Sequence, residues 1–584
     1  MVADSFFSVF TNTLWIVIGV YLVCIVAFRL YQGLWRFFTF YDCFITGIAF
    51  LVGTVAISGA VFIWNGFTFE EFPRSVFVIN YLLLIAWEVG GRGMVRLIRE
   101  WRIERLTGSG DALPSVVLVG NPEDCDSLIR SLNRQAGRLG EIAAIVTSLN
   151  RHRGGRMHGI RVFSDLGSVG QVMKKFDAGV LVILPPFNAP NKVHEIVKNV
   201  SAENVRCEYR VVPSIDDIAA GRVDVSQIRR VQIEDLLNRK AHKVDMQRLK
   251  EFVSGRRLMV TGAGGSIGSE IARQLLQLEP QVMVLFDVSE FLLFEIEREL
   301  KDLGQETDII AVTGDVKDGD DVKRAINLAG GIDVVYHAAA YKHVDLMERN
   351  PVSCFENNVL GTATVAEQSE KAGVKQFVLV STDKAVRPTS LMGASKRLAE
   401  MVLMDRPENR TQFCAVRFGN VLGSSGSVVP IFRKQIENGG PLTVTSRDVT
   451  RFFMTIPEAV ELVLVAGTIG EDRRILVLEM GEPVKIDSLA RRMIELSGFV
   501  PEVDIPIIYT GLKPGEKEYE ELLTDDENVE RTEVERIWVV KDQGGVRPVV
   551  DVDKLLEIAQ NSGSDSLRKH VQSLISGALL ERVE

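Results

Sequence analysis

Cysteine is scarce in this chain, with six among 584 residues and no two in a CxxC spacing. Cys24, Cys43, Cys125, Cys207, Cys354 and Cys414 are too scattered for a zinc site or a disulfide framework, and a reducing compartment suits most of the sequence. Basic residues are in deficit: 67 Lys and Arg stand against 77 Asp and Glu, a formal net charge of -10. That balance leaves no broad cationic footprint, so no nucleic-acid partner is expected, while a small anion held at a locally positive site stays open. Apolar residues are abundant, at 46% with a mean hydropathy of +0.12, which excludes a disordered chain. The length calls for three or four folding units of about 150 residues each.

The apolar excess is concentrated at the start. Residues 5–28 and 43–69 carry no charge, and each stretch is long enough to cross about 30 Å of hydrocarbon as a helix. A third apolar segment, Ser75 to Trp87, is shorter and needs help from Val89-Gly90-Gly91 to span. No basic region precedes the first segment and no small-residue cleavage site follows it, so anchors are expected rather than a signal peptide. The intervening loops run basic (Arg29, Arg36), acidic (Glu70, Glu71) and basic (Arg92, Arg96, Arg99). That order places the N-terminus outside and everything from about residue 92 onward in the cytoplasm, on a multi-pass inner-membrane protein.

An α/β class follows from the rest. Residues 112–240 alternate strand-like runs, such as Val116-Val117-Leu118-Val119 and Val180-Leu181-Val182-Ile183, with helical stretches. Only Gly120 follows the first of these strands, so the unit is expected to be Rossmann-like without a complete cofactor motif. A charged amphipathic linker is expected at 241–255, a catalytic domain at 256–545 and a helical tail at 546–584, after a membrane region at 1–105.

The second α/β unit opens with the apolar strand Leu258-Met259-Val260-Thr261, then Gly262-Ala263-Gly264-Gly265-Ser266-Ile267-Gly268, then a helical pattern from Ser269. Gly262 suits a tight turn, Gly265 lets backbone approach a pyrophosphate, Gly268 lets the helix pack closely, and the helix N-terminus offers free N–H groups to the anion. The next strand ends at Asp287, where a carboxylate can accept both hydroxyls of an adenosine ribose and would repel a 2′-phosphate, so NAD is preferred to NADP. Asp315 and Val316 after the third strand, and Ala338, Ala339 and Ala340 after the fourth, leave room for the dinucleotide.

Together with Ser381-Thr382-Asp383-Lys384-Ala385, the Met392 to Lys396 segment and Arg417-Phe418-Gly419-Asn420, these motifs resemble the extended short-chain dehydrogenase/reductases that act on nucleotide sugars. With its apolar leader and preceding Rossmann-like unit, the chain is most similar to the membrane-bound UDP-N-acetylglucosamine 4,6-dehydratases of bacterial polysaccharide and glycan synthesis. The resemblance implies a UDP-sugar substrate, glycan-pathway partners and a homo-oligomer. Most such enzymes carry a tyrosine base where this chain has Met392, whose thioether has no proton to exchange. Asp383 through a water, Thr382 in a relay, or Lys396 must then receive the sugar hydroxyl proton.

The resemblance further implies oxidation at C4 by NAD, removal of the C5 proton by Lys384, protonation of the departing C6 hydroxyl by Asp383, and a redox-neutral cycle that keeps NAD bound. Lys384 is expected to have a pKa depressed by burial, Lys396 and the nicotinamide. Arg417, Asn420, Arg451 and Lys513 lie in segments similar to those that hold the nucleoside diphosphate. Lys342 and Asn358 could reach sugar or cofactor, and Glu516, in Lys513-Pro514-Gly515-Glu516-Lys517, belongs to the rim of the sugar pocket. His337 and His343 lack the neighbours of a metal site and read as structural. A UDP-sugar epimerase on the same fold is the nearest alternative, and a non-catalytic NAD-binding membrane scaffold is the alternative from another class.

Overall fold

The computed structural model describes residues 2–28, 40–64, 74–87, 114–134, 140–148, 155–212, 228–231, 245–407, 410–469, 472–524, 527–541, 549–561 and 564–580, with 90, 91, 94 and 235. These fall into two compact units, Met1–Leu113 and Pro114–Glu584.

The first unit is helical, with α1 over Val2–Ala27, α2 over Phe40–Trp64 and α3 over Ser75–Trp87. Polar side chains meet where the three helices pack: Tyr21 Oη lies 2.9 Å from Thr54 Oγ1 and accepts a 2.8 Å bond from Asn80 Nδ2. Three spans were expected from the sequence. Among the described residues one helix, Phe44–Trp64, is long and apolar enough to cross a membrane, while Val17–Ala27 and Ser75–Trp87 are shorter apolar segments. The charged loop residues that set the expected orientation, Arg29, Arg36, Glu70, Glu71, Arg92, Arg96 and Arg99, lie outside the described residues.

The second unit carries two Rossmann-like sheets. The first is built from β1 (Ser115–Val119), β2 (Glu141–Val146), β3 (Arg156–Met157), β4 (Ile160–Phe163), β5 (Ala178–Ile183), β6 (Glu208–Val211) and β7 (Arg229–Arg230), in the order β3-β4-β2-β1-β5-β6-β7. Its central strands are buried on both faces, as their unbroken Val/Leu/Ile runs require. Helix α4 (Pro190–Ala202) covers one face with Val193, Ile196, Val197 and Val200.

The second sheet contains β8 (Arg257–Thr261), β9 (Val282–Asp287), β10 (Asp308–Thr313), β11 (Val334–His337), β12 (Gln376–Val380), β13 (Gln412–Arg417), β14 (Arg474–Leu478), β15 (Val529–Arg531) and β16 (Ile537–Val540). They lie in the order β10-β9-β8-β11-β12-β13-β14-β16-β15, parallel as far as β14. The order in which successive strands are added reverses between β8 and β11, which opens a crevice at their carboxyl ends. Four helices matter for what borders it: α5 (Ser266–Leu276), α6 (Leu391–Met404) and, beyond the sheet, α7 (Val428–Glu437) with α8 (Ile486–Leu496).

One apolar core is shared by the first sheet and by α7 and α8, through Val197, Cys207 and Tyr209 on one side and Phe432, Leu489 and Met493 on the other. The C-terminal helices, Val552–Asn561 and Ser564–Leu580, pack Leu555, Leu567 and Val571 against Leu391, Leu398 and Met401 of α6. Arg568 pairs there with Glu348, whose other oxygen accepts the Leu391 N–H at 2.7 Å.

Candidate active site

The turn after β8 requires glycine at defined points. Gly262 has φ +68°, and a Cβ there would come within 2.7 Å of the Ala339 backbone; at Gly268 a Cβ would lie 2.0 Å from the Gly262 carbonyl oxygen. Side chains at these positions would push the turn, the loop after β11 and the first turn of α5 apart. Gly265 caps α5 with no side-chain hydrogen bond, so the helix presents free backbone N–H groups at its start. Asp287 ends β9 with Oδ2 accepting the Gly264 N–H at 2.9 Å and Oδ1 accepting that of Ser289.

A cavity of about 500 Å³ opens beyond this turn, lined by Gly262, Gly265, Ser266, Ile267, Gly268, Ala338, Ala340, Lys342, Thr382, Lys384, Met392, Lys396 and Asn420. Its size suits a small ligand. Ala339 supports the turn from behind. Asp287, Asp315 and Val316 fall outside the cavity wall: Asp315 accepts the Lys317 N–H and pairs with the Lys317 ammonium at 3.3 Å, and Val316 is buried in the core. Close glycine backbone, unspent helix N–H groups and the acid closing β9 fit a dinucleotide without a 2′-phosphate.

A second cavity, of about 460 Å³, is lined by Arg451, Lys513, Glu516, Lys517 and Glu520, with His343, Val344, Leu346, Gly426 and Lys384 common to both cavities. Lys384 therefore stands where the two spaces meet. It is carried there by a short turn, Asp383–Ala385, at the end of β12, with Thr382 at its head. Thr382 Oγ1 donates to Asp383 Oδ1 at 2.9 Å, and Lys384 Nζ donates to the same oxygen at 3.0 Å and to Asn420 Oδ1 at 3.2 Å. Asp383 is fully buried, and its Oδ2 has no hydrogen-bond partner among the described residues.

The electrostatics of Lys384 run opposite to the expectation from sequence. Burial lowers its pKa, but the carboxylates of Asp383 and Glu520, the latter 3.5 Å away, outweigh burial and raise it above the ordinary lysine value. Lys384 is thus an ammonium held between two acids. Lys396 differs: burial lowers it to about 8, and its Nζ donates to the Val380 carbonyl at 2.7 Å. Met392, one turn earlier on α6, is buried against Met347 and Cys354 and offers only its thioether to the cavity. His337 is a neutral core residue, pushed down to about 3 by burial and set between the hydroxyls of Thr261 and Thr362.

Two residues expected to touch substrate do not face either cavity. Arg417 is fully buried, with its guanidinium 2.8 Å from Glu400 and 3.0 Å from Glu527, so no donor is directed at a phosphate. Burial would raise the Glu400 pKa, but Arg417 and Arg397 bring it down to about 2. Asn358 sits on a π-helical turn, Glu356–Leu360, and is likewise buried. Its amide accepts from the Tyr341 N–H and donates to the Tyr341 carbonyl and to Ser395, pinning the loop that carries Ala340 and Lys342.

Arg451 reaches the second cavity, yet its guanidinium is engaged by Glu516 at 3.0 Å and by the carbonyls of Thr450, Lys517 and Glu518. Lys513 is half-exposed at the rim, 3.8 Å from Asp345. Glu520 is the residue that sequence reasoning missed. Its signal was the run Glu516 to Glu521, rich in charge beside a glycine loop.

The model of a family described as "Polysaccharide biosynthesis protein" matches residues 258–542. The chain is 38% identical over 507 residues to the capsular polysaccharide biosynthesis protein CapD of Staphylococcus aureus, covering 84% of this chain and 83% of CapD. It is 42% identical over 324 residues to the uncharacterized membrane protein MJ1061 of Methanocaldococcus jannaschii, covering 54% and 93%. A UDP-glucose 4-epimerase of Rickettsia canadensis is 33% identical over 282 residues, covering 46% of this chain and 78% of the epimerase. The chain thus belongs to the polysaccharide biosynthesis protein family.

Proposed function

We propose that this protein removes water from a UDP-linked N-acetylhexosamine, UDP-N-acetylglucosamine first among them, to give a UDP-4-keto-6-deoxy sugar for surface polysaccharide or protein glycan synthesis. The observation that carries the reading is the Thr382-Asp383-Lys384 turn, which projects an ammonium into the junction of two cavities where Met392 removes the usual tyrosine. The glycine-lined cavity would take NAD, which would supply reversible two-electron oxidation of the sugar. Gly262, Gly265, Ser266, Ile267 and Gly268 would hold its pyrophosphate, Asp287 at the end of β9 would orient the adenosine ribose, and Lys396 would stand at the nicotinamide end.

The nucleotide sugar lies in the second cavity, with Arg451, Lys513 and Glu516 on its wall and rim. Thr382 takes the proton of the C4 hydroxyl and passes its own to Asp383. The C5 proton is removed by Lys384, and the proton stored on Asp383 returns through Thr382 to the departing C6 oxygen, which leaves as water. Lys384 then gives its proton back at C5. The anchor is the helical first unit, in a bacterial inner membrane with the catalytic unit on the cytoplasmic side; self-association and contact with other glycan-pathway enzymes belong to the same reading.

Similarity to a UDP-glucose 4-epimerase favours a second reading, isomerisation at C4 on the same framework. Purified protein incubated with UDP-N-acetylglucosamine separates the two by mass spectrometry. Dehydration gives a product lighter by one water; an isomer of unchanged mass rejects it. A scaffold without turnover gives neither product.

A further inference from the structure

Lys384 cannot remove a proton while it is an ammonium, and the carboxylates of Asp383 at 3.0 Å and Glu520 at 3.5 Å favour that form. The proton must move before the reaction does. Facing Lys384 are Asp383 from its own turn, Glu520 and Arg451 from the substrate side, and the Asn420 amide. Farther along the wall, Lys517 is paired with Glu521, Glu516 is engaged by Arg451, and His343 lies opposite, its pKa lowered by burial and by Lys342. Asp383 Oδ1 already receives both Thr382 and Lys384, and its Oδ2, unpartnered among the described residues, is taken up, in the dehydration reading, by the proton of the C4 hydroxyl.

Glu520 is differently placed. Its side chain is 4% exposed, with one carboxylate oxygen 3.5 Å from Lys384 Nζ and 3.8 Å from Arg451 Nε. The other oxygen is buried with no hydrogen-bond partner among the described residues. That open oxygen can accept a hydrogen without any existing hydrogen bond being broken.

We propose that Glu520 receives the proton Lys384 must lose, making it a positioning residue that sets the protonation state of the base. An Nζ–H bond breaks and an Oε–H bond forms, leaving a neutral amine and a neutral carboxyl with no change in net charge. The amine then takes the C5 proton, and after that proton is returned Glu520 gives its own back. This rests on the dehydration reading above, and it makes the competent form an internal tautomer whose abundance does not depend on bulk pH near neutrality.

The test compares the full-length protein with Glu520→Gln and Glu520→Asp, measuring kcat for water loss from UDP-N-acetylglucosamine between about pH 6 and 8. The wild type should give a flat profile. Glu520→Gln should be slower and rise about tenfold per pH unit, because the free amine now requires net loss of a proton to solvent, and Glu520→Asp should recover flatness in part. Labelling without sugar gives a second readout: removing an anion lowers the Lys384 pKa, so an amine-selective acylating reagent should modify Lys384 faster in Glu520→Gln, read by peptide mass spectrometry. A flat profile at wild-type rate in Glu520→Gln, or unchanged Lys384 labelling, overturns the proposal. If the wild type yields only an isomer, the dehydration reading falls, while the labelling still decides whether Glu520 governs the Lys384 proton.

Discussion

Two sheets of one architecture stand side by side in this protein, and they differ at the point where strand order reverses. In the second sheet Gly262 faces the small residues Ala338 to Ala340, and the crevice stays open to a cavity. In the first sheet Gly120 faces Leu184, whose Cβ would lie 3.0 Å from a Cβ at Gly120, as would the Cys125 sulfur. A leucine and a cysteine thus occupy the place where the other sheet has backbone and space. The first sheet spends its surface on packing, joining α7 and α8 through a common apolar core. A Rossmann topology supplies a crevice, and its lining decides whether anything can enter.

Substitution at the two turns should break this contrast most sharply. Gly268→Val places side-chain atoms against the Gly262 carbonyl, and we expect purified protein to lose its dinucleotide entirely, read by absorbance and by release on denaturation. A change at the turn of the first sheet, Gly120→Ala, asks only that Cys125 and Leu184 yield slightly. It should cost about 1 kcal/mol in a denaturant melt and leave dinucleotide content and turnover unchanged.

Within the second sheet, Lys384→Ala should lower kcat by about 10²–10⁴-fold while the dinucleotide stays bound, which separates the reacting centre from the cofactor turn. A scaffold without turnover would retain its cellular function in that variant. Next in size is the buried cluster of Arg417, Glu400 and Glu527. Glu400 has a folded-state pKa of about 2 against an ordinary 4.5, so its contribution is present above the unfolded value and is lost as pH falls from about 4.5 toward 2. Glu400→Gln should cost about 3–5 kcal/mol near neutral pH, because it leaves a buried guanidinium short of one partner. The variant's melting temperature should also depend less on pH in that acid window. The smallest effect belongs to the first sheet again: Arg206→Ala removes an exposed pair with Asp504 and should leave both melting temperature and activity almost unchanged.

Local chemistry was legible in the sequence and distant chemistry was not. The glycine spacing, Asp287 and the Asp383-Lys384 dipeptide are features of a few adjacent residues, and each lies beside the crevice or its junction. Arg417 was read as a phosphate ligand because an arginine ending a strand has the right donors. Its carboxylate partners come from α6 and from Glu527 far downstream, and only the folded chain shows that they consume those donors. Asn358 was misread for a related reason, since its place on a π-helical turn turns its amide toward Tyr341. The direction of the Lys384 pKa reversed because Asp383 beside it and, after that, Glu520, remote in sequence, together outweigh burial. Absence of charge marked three apolar stretches in the membrane segment, and among the described residues Phe44–Trp64 is the one long and apolar enough to cross a membrane.

The Arg568–Glu348–Leu391 link has a consequence for how the protein comes into being. Residues far downstream brace the N-terminal end of the helix bearing Met392 and Lys396, so a nascent chain has its dinucleotide turn well before that helix is fastened. Maturation of the reaction centre therefore waits until the helix Ser564–Leu580 is made, and a chain lacking that helix would keep its dinucleotide turn but leave the catalytic helix unbraced.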